Sequence, residues 1–276
     1  MSPHARDRAR EKRRNEKRRS VLAEREMESR RNKQVLGVVL VMVVVIGGFV
    51  GLTYALNKND KTATSSQPSA QTSPARAALA TPVAGCVAPP AIPNDKRTRT
   101  LPDKKIAAGK TFIATIMTNC GVIKVELDGK KAPQTVASFL TLAESGYWAD
   151  SPCQRLTTLD PLFVLQCGDP TGTGTGSPGY GYGIENPPAN FTYPAGTLAM
   201  ARTQDPKSNG GQFFIVHKQT VISDPAGYSI FGKVISGMDI VEKVAAAGAT
   251  QPDANQNTAP LQPISILAVN VTEKKA

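Results

Sequence analysis

The chain has 276 residues, with 33 Lys+Arg against 22 Asp+Glu and two histidines, a formal charge of +11. The excess is lopsided: residues 1–34 hold 13 of the basic and 6 of the acidic side chains, which leaves 20 against 16 beyond them. A nucleic-acid binder concentrates basic charge on its folded domain, so this distribution speaks against nucleic acid, and His4 and His217 alone leave little room for histidine chemistry.

Residues 1–34 read as a basic cytoplasmic segment. Residues 35–56 are 22 uncharged, mostly apolar positions, and at about 1.5 Å per residue such a helix crosses a hydrocarbon core of roughly 30 Å. A cleaved signal peptide has an apolar stretch of only about 7–15 residues, so a retained transmembrane helix is expected. Its basic flank stays cytoplasmic, against anionic lipid. The expected location is therefore the cell membrane, single-pass, with everything beyond residue 56 extracytoplasmic. Residues 57–109, rich in Ser, Thr, Pro and Ala without a period of 2 or 3.6, predict a flexible, disordered tether. Within it Val83-Ala84-Gly85-Cys86 imitates a lipoprotein acceptor, but it does not directly follow the apolar run.

Over residues 110–276 the texture becomes that of one folded domain. Residues 112–117 and 122–127 flank Asn119-Cys120-Gly121 as a hairpin. Pro133 opens an amphipathic helix with Val136, Phe139, Leu140 and Ala143 on one face and Gly146 as its stop. Strands are expected near 153–157, 163–167, 197–201, 212–216, 229–235 and 264–271. A second helix puts Met238, Val241, Val244 and Ala245 on one face and ends near Gly248. Many strands with two helices argue against alternating βαβ units. The predicted class is mainly β: a closed, eight-stranded antiparallel barrel capped by two α-helices, because closure removes exposed edges.

The side-chain inventory narrows the chemistry. His217 follows an apolar strand with no nucleophile elbow, so an ordinary hydrogen bond is its expected role. No CxxC, HExxH or paired His/Cys spacing occurs, and neither metal nor other cofactor is expected. Thr171-Gly172-Thr173-Gly174-Thr175-Gly176 imitates a phosphate loop, but no Lys-Ser/Thr follows and no helix opens there. All four cysteines lie on the expected outer side, where oxidation persists. On a hairpin turning at Asp160, Cys153 and Cys167 face each other and a bridge is geometrically allowed, leaving Cys86 with Cys120. Four cysteines permit three pairings, and sequence does not choose among them.

Several separate phrases agree in order and spacing: Gln154-Arg155, the run from Phe163 to Gly176, Gly196-Thr197-Leu198-Ala199-Met200-Ala201-Arg202, Asn209-Gly210-Gly211-Gln212-Phe213-Phe214-Ile215, and Phe231-Gly232-Lys233-Val234. Together they resemble the cyclophilin family of peptidyl-prolyl isomerases, across residues 112 to 272. Residues 132–139 look like that family's first helix. The resemblance implies rotation about X-Pro bonds, against an amide barrier of about 18–20 kcal/mol. Such a reaction needs no nucleophile or metal, only tighter binding of the twisted amide.

Carried over by motif, Arg155 is expected to aim its guanidinium at the proline nitrogen. Phe163, Val164 and Phe214 are expected to line the proline pocket, and Gln166 to bond the substrate backbone. Ala201 and Arg202 should form the opposite rim, with Gln212 and Gly174 bordering the same groove. The family often has Met at the position of Val164, Asn at that of Arg202 and His at that of Tyr228; Tyr keeps a ring and a hydroxyl. The turn from Leu156 to Leu162 is longer than the family's usual one. Expected partners are proline-containing polypeptides of exported or cell-envelope proteins, and the domain is expected to be monomeric. Two other readings stay open: a non-catalytic proline-peptide-binding module or holdase, and a structural envelope protein with a fixed partner.

Overall fold

The computed structural model describes residues 82–253 and 257–275, all within one compact unit, Thr72–Ala276. The basic segment, the apolar run and the first part of the tether lie outside the described residues. Among the described residues no helix is long and apolar enough to cross a membrane.

The hairpin is β1 (Thr111–Thr118) and β2 (Gly121–Asp128), in register from Thr111↔Asp128 to Thr118↔Gly121. Alternate residues point inward, as the two-residue strand period requires: Phe112, Ala114 and Ile116 from β1, Ile123, Val125 and Leu127 from β2. Helix α1 (Pro133–Glu144) starts with proline, whose missing N–H is one the first turn cannot use. The Glu185 carboxylate accepts from the backbone N–H groups of Gln134 and Thr135, which places a negative charge at the positive end of the helix. Gly146, at φ 62°, follows it in the left-handed conformation that glycine adopts most readily.

The remaining elements are β3 (Ser151–Pro152), β4 (Arg155–Leu156), β5 (Val164–Cys167), β6 (Thr192–Tyr193), β7 (Thr197–Met200), β8 (Phe213–Val216), β9 (Thr220–Val221), β10 (Ile230–Ser236), α2 (Met238–Ala246) and β11 (Ser265–Glu273). Nine strands form one antiparallel sheet in the order β3-β11-β1-β2-β10-β7-β8-β5-β4, and β6 pairs with β9 apart from it. The sheet curls into a half-barrel. The closed eight-stranded barrel expected from sequence is corrected on this point. Closure would require β3 to pair with β4, but these two-residue strands are consecutive and only Cys153 and Gln154 separate them. Their backbone turns instead to the segment before β11: Cys153 N–H donates to Ile264 O and Leu156 N–H to Thr258 O.

Inside the curl, Phe139 of α1 packs on the rings of Trp148, Phe231 and Phe213 at centroid distances of 4.6, 5.6 and 5.8 Å. The Trp148 Nε1–H donates to Gly211 O, so the ring is buried without an orphaned donor.

Both disulfides of the allowed pairing are present, Cys86–Cys120 and Cys153–Cys167. The β4–β5 register pairs Arg155 with Gln166, and Leu159 bridges Leu162. The turn is therefore centred between Asp160 and Pro161, and the two cysteines are offset by one residue rather than directly opposite. Of the segment expected as a free tether, residues 82–109 lie against the domain. Val87 N–H donates to Asn119 O, Asn94 N–H to Pro170 O and Arg99 N–H to Pro178 O.

Candidate active site

Strand pairing decides which side chains meet. Val164 lies opposite Val216 and Gln166 opposite Phe214, so these four share the outer face of the β5–β8 pair. Leu165, Cys167, Phe213 and Ile215 take the inner face and join the main core. Edge strand β4 sets Arg155 across from Gln166. The loop between β9 and β10 brings Ile222 and Tyr228 over the same face. The result is a cup of about 190 Å³. Leu162, Val164, Phe214 and Ile222 give it an apolar lining, Arg155 and Gln166 supply polar groups, and Ala201, Arg202 and Tyr228 complete its wall.

Arg155 is half-buried, and burial holds its pKa below the usual arginine value against the opposing pull of the Tyr228 hydroxyl. Its Nη1 donates one long hydrogen bond, 3.4 Å, to Gln166 Oε1, and its buried Nε has no partner. No ion pair to Arg155 is formed among the described residues. A partly desolvated cation with unused donors is costly unless a ligand satisfies it.

The polar groups beside it are interlocked. Gln166 Nε2 donates to Gln212 Oε1 at 2.9 Å, and Gln154 Nε2 donates to the same oxygen at 2.8 Å. Gln212 Nε2 in turn donates to Gly174 O and Gly176 O at 3.0 and 2.9 Å. Gln212 and Gly174 thus border a second, larger hollow of about 520 Å³ that shares Gln166, Ala201 and Arg202 with the cup. The glycine loop does cradle an anion, but an internal one. The fully buried Asp169 carboxylate accepts from the N–H groups of Thr171, Gly174 and Gly176 and from the Thr171 hydroxyl. Gly176 permits the approach: an added Cβ there would collide with the Asp169 carboxylate.

Arg202 is held from all sides. Its side chain is 2 % exposed, its Nη2 lies 2.7 Å from Asp224 Oδ2 as an ion contact, and its Nε and Nη1 donate to Gly227 O and Thr203 O. It also lies 4.5 Å from the Tyr228 ring centroid. Tyr228 packs edge-on against Phe214 at 5.8 Å, and the buried Tyr193 hydroxyl accepts from Tyr228 N–H at 2.8 Å.

Of the residues expected at the site, Arg155, Val164, Gln166, Ala201, Arg202, Phe214 and Tyr228 converge on the cup. Phe163 does not. It contacts the His217 ring at 5.8 Å and the Lys218 ammonium at 4.7 Å, away from the cup. Phe163 lies just before β5, where its backbone N–H donates to the Thr220 hydroxyl at 2.7 Å. Leu162 and Ile222, which the motifs did not single out, occupy the wall instead. His217 Nε2 lies 2.9 Å from Thr157 O, an ordinary hydrogen bond. Among the described residues no group of three or more His, Cys, Asp or Glu is placed to hold a metal ion.

A curled antiparallel sheet with two helices, whose outer face bears an apolar cup beside an unpaired guanidinium, has the architecture of a prolyl isomerase. The family model "Cyclophilin type peptidyl-prolyl cis-trans isomerase/CLD" matches residues 113–271. The chain belongs to this cyclophilin-type peptidyl-prolyl cis-trans isomerase family. It is 36 % identical over 146 residues to the "Probable peptidyl-prolyl cis-trans isomerase B" of Mycobacterium tuberculosis, covering 49 % of this chain and 46 % of that one. To the "Peptidyl-prolyl cis-trans isomerase" of Acinetobacter baylyi it is 35 % identical over 159 residues, 56 % of this chain and 82 % of the other. The chain thus spans about half the length of the mycobacterial relatives it matches. A solved cyclophilin type isomerase from Cryptosporidium parvum, in the presence of the dipeptide Ala-Pro, aligns with TM-score 0.47 and 29 % identity over 59 % of this chain and 99 % of that one.

Proposed function

We propose that the chain is a peptidyl-prolyl cis-trans isomerase that acts on X-Pro bonds of exported or cell-envelope polypeptides. One observation carries the reading: the half-buried Arg155 guanidinium, with an unpartnered Nε, beside an apolar cup. The cup, at about 190 Å³, is of a size with cavities of about 150 Å³ that accept a benzene ring, so a pyrrolidine ring fits. With the ring against Phe214, Leu162 and Ile222, Arg155 donates to the proline nitrogen as the amide twists and its lone pair leaves conjugation. The same donor gains nothing from the planar amide, whose nitrogen is a poor acceptor, and that difference lowers the barrier. Gln166, next to Arg155, holds the neighbouring substrate backbone. No bond to the enzyme forms.

In this reading residues 35–56 anchor the chain, residues 1–34 stay cytoplasmic, and residues 57–81 carry the domain outside the cell membrane. The uncharged run, its basic flank and two disulfides on the far side support that placement. The test is the full chain on a panel of X-Pro tetrapeptides by exchange NMR. Accelerated interconversion is expected. Peptide binding without acceleration would reduce the protein to a holdase, and neither would leave a structural role. Protease added to intact cells should cut the domain, and complete protection would overturn the orientation.

A further inference from the structure

The stretch from residue 82 to residue 103 lies outside the matched family domain, which begins at residue 113, yet it is fastened to the loop that closes the larger hollow. Three kinds of contact fasten it. The Cys86–Cys120 bridge pins its start to the β1–β2 turn. Arg97 Nη1 donates to the carbonyls of Gly146, Tyr147 and Ala149 at 3.2, 2.9 and 2.9 Å, in the turn after α1. Its middle then grips both ends of the glycine loop: Asn94 N–H donates to Pro170 O and Arg99 N–H to Pro178 O at 2.7 Å. The Ile92 side chain covers Gly172, where an added Cβ would meet it at 3.1 Å, and Thr98 covers Gly179 in the same way at 3.3 Å.

Between those two grips, Gly174 and Gly176 offer their carbonyls to Gln212 and their N–H groups to Asp169. Gln212 holds Gln166, and Gln166 accepts from Arg155. A path of hydrogen bonds, continued between the two grips by the loop backbone, therefore joins the strap through two glutamines to the guanidinium.

We infer that residues 82–103 are a positioning strap: they fix the glycine loop, and through Gln212 the polar side of the substrate groove, so that the strap sets how tightly the chain flanking a proline is held. The substrate part of this inference rests on the isomerase reading; the loop-positioning part does not. It predicts an effect on peptide affinity rather than on the chemical step, because the strap reaches Arg155 only through Gln166 and touches nothing in the apolar cup.

Arg97→Ala in the full chain tests it. All three carbonyls bond the same nitrogen of Arg97, so Arg97→Lys, with three donors on one nitrogen, should restore wild-type behaviour. Residue-resolved hydrogen exchange should show faster exchange at the Gly174 and Gly176 amides in Arg97→Ala, with β1 and β2 amides unchanged. On the tetrapeptide panel KM should rise about three- to tenfold, the range such networks carry, with kcat within about twofold. Should Arg97→Ala fail to fold, the exposed Ile92→Ala reads the same amides. Unchanged exchange at Gly174 and Gly176, or a rise spread evenly over the whole domain, overturns the strap. A fall in kcat at constant KM overturns its assignment to affinity. If wild type turns over no peptide, the isomerase reading fails while the exchange experiment still decides the strap.

Discussion

Reduction of the hairpin that carries Arg155 to its bare hydrogen bonds should disable the site before it unfolds the domain. Cys153 and Cys167 are 14 apart in sequence and bracket the register pair Arg155↔Gln166. Closing a loop of that length removes about 3 kcal/mol of unfolded-chain entropy at 25 °C. The Cys153→Ala/Cys167→Ala variant forfeits that stabilisation, which for a domain of ordinary stability is roughly a fifth to three fifths of the total. The loss also falls locally, because β4 is a two-residue edge strand paired on one side only, to β5. Both sulfurs sit in the main core, with Cys153 and Cys167 exposed by 3 % and 2 %, so alanine, which adds no buried hydroxyl, is the better replacement. Urea unfolding followed by Trp148 fluorescence should show a lowered midpoint. Turnover on the best X-Pro peptide in buffer without urea should fall about tenfold or more, the effect of misplacing a group by an ångström being up to about 100-fold. A lowered midpoint with turnover unchanged would refute the idea that the bridge positions Arg155.

Three further changes probe the surroundings. Phe214→Ala empties the floor of the cup, where Phe214 is 4 % exposed between Tyr193 and Tyr228; stability should drop by about 3–5 kcal/mol, and peptide titration should show weakened binding. Asp224→Asn removes the carboxylate facing the buried Arg202 guanidinium and should lower stability by about 1–3 kcal/mol, read by the same urea titration. In the wild type, burial raises the Asp224 pKa but the Ala226 N–H and Arg202 outweigh it and hold it low. That contribution is present above the unfolded value of 3.8 and is lost as pH falls further. His217 shifts downward because burial disfavours its charged form, although the Thr157 carbonyl opposes this. Its folded pKa lies below 6.5, so its contribution is full above that pH and is lost on acidification. His217→Gln should flatten the melting temperature between pH 6.5 and the folded pKa, and an unchanged slope would assign the acid sensitivity elsewhere.

Much of the fold and part of the site are legible in the sequence, for identifiable reasons. The β1–β2 hairpin, α1 from Pro133 and α2 from Met238 follow from clean periods of 2 and 3.6 with proline and glycine at the ends. The cup residues Val164, Gln166 and Phe214 sit in strands whose motifs fix their register. Phe163 turns to His217 and Lys218 and not into the cup, a direction set by contacts some fifty residues away that a local motif does not record. Leu162 and Ile222 escaped notice because they lie in loops, where the neighbouring strands and not a local period decide what is buried. Closure of the sheet failed on length, since β3 and β4 are too short and too near in sequence to pair with each other. The strap was hidden for a different reason. Its fixing contacts are Arg97 on backbone carbonyls and one disulfide, and neither leaves a hydrophobic period. Gln154 and Gln212 likewise carry no pattern that distinguishes a cross-link from a solvated amide.

Arg155→Ala decides most directly whether an unpaired cation beside an apolar cup turns proline amides. Exchange NMR on one X-Pro peptide gives turnover and affinity in a single sample. Turnover should fall by about 100-fold or more, the scale of losing one donor aimed at the transition state, while the peptide Kd stays within about threefold because the cup is intact. Wild-type turnover in the variant, or a loss of affinity that accounts for the whole effect, would contradict the role given to the guanidinium.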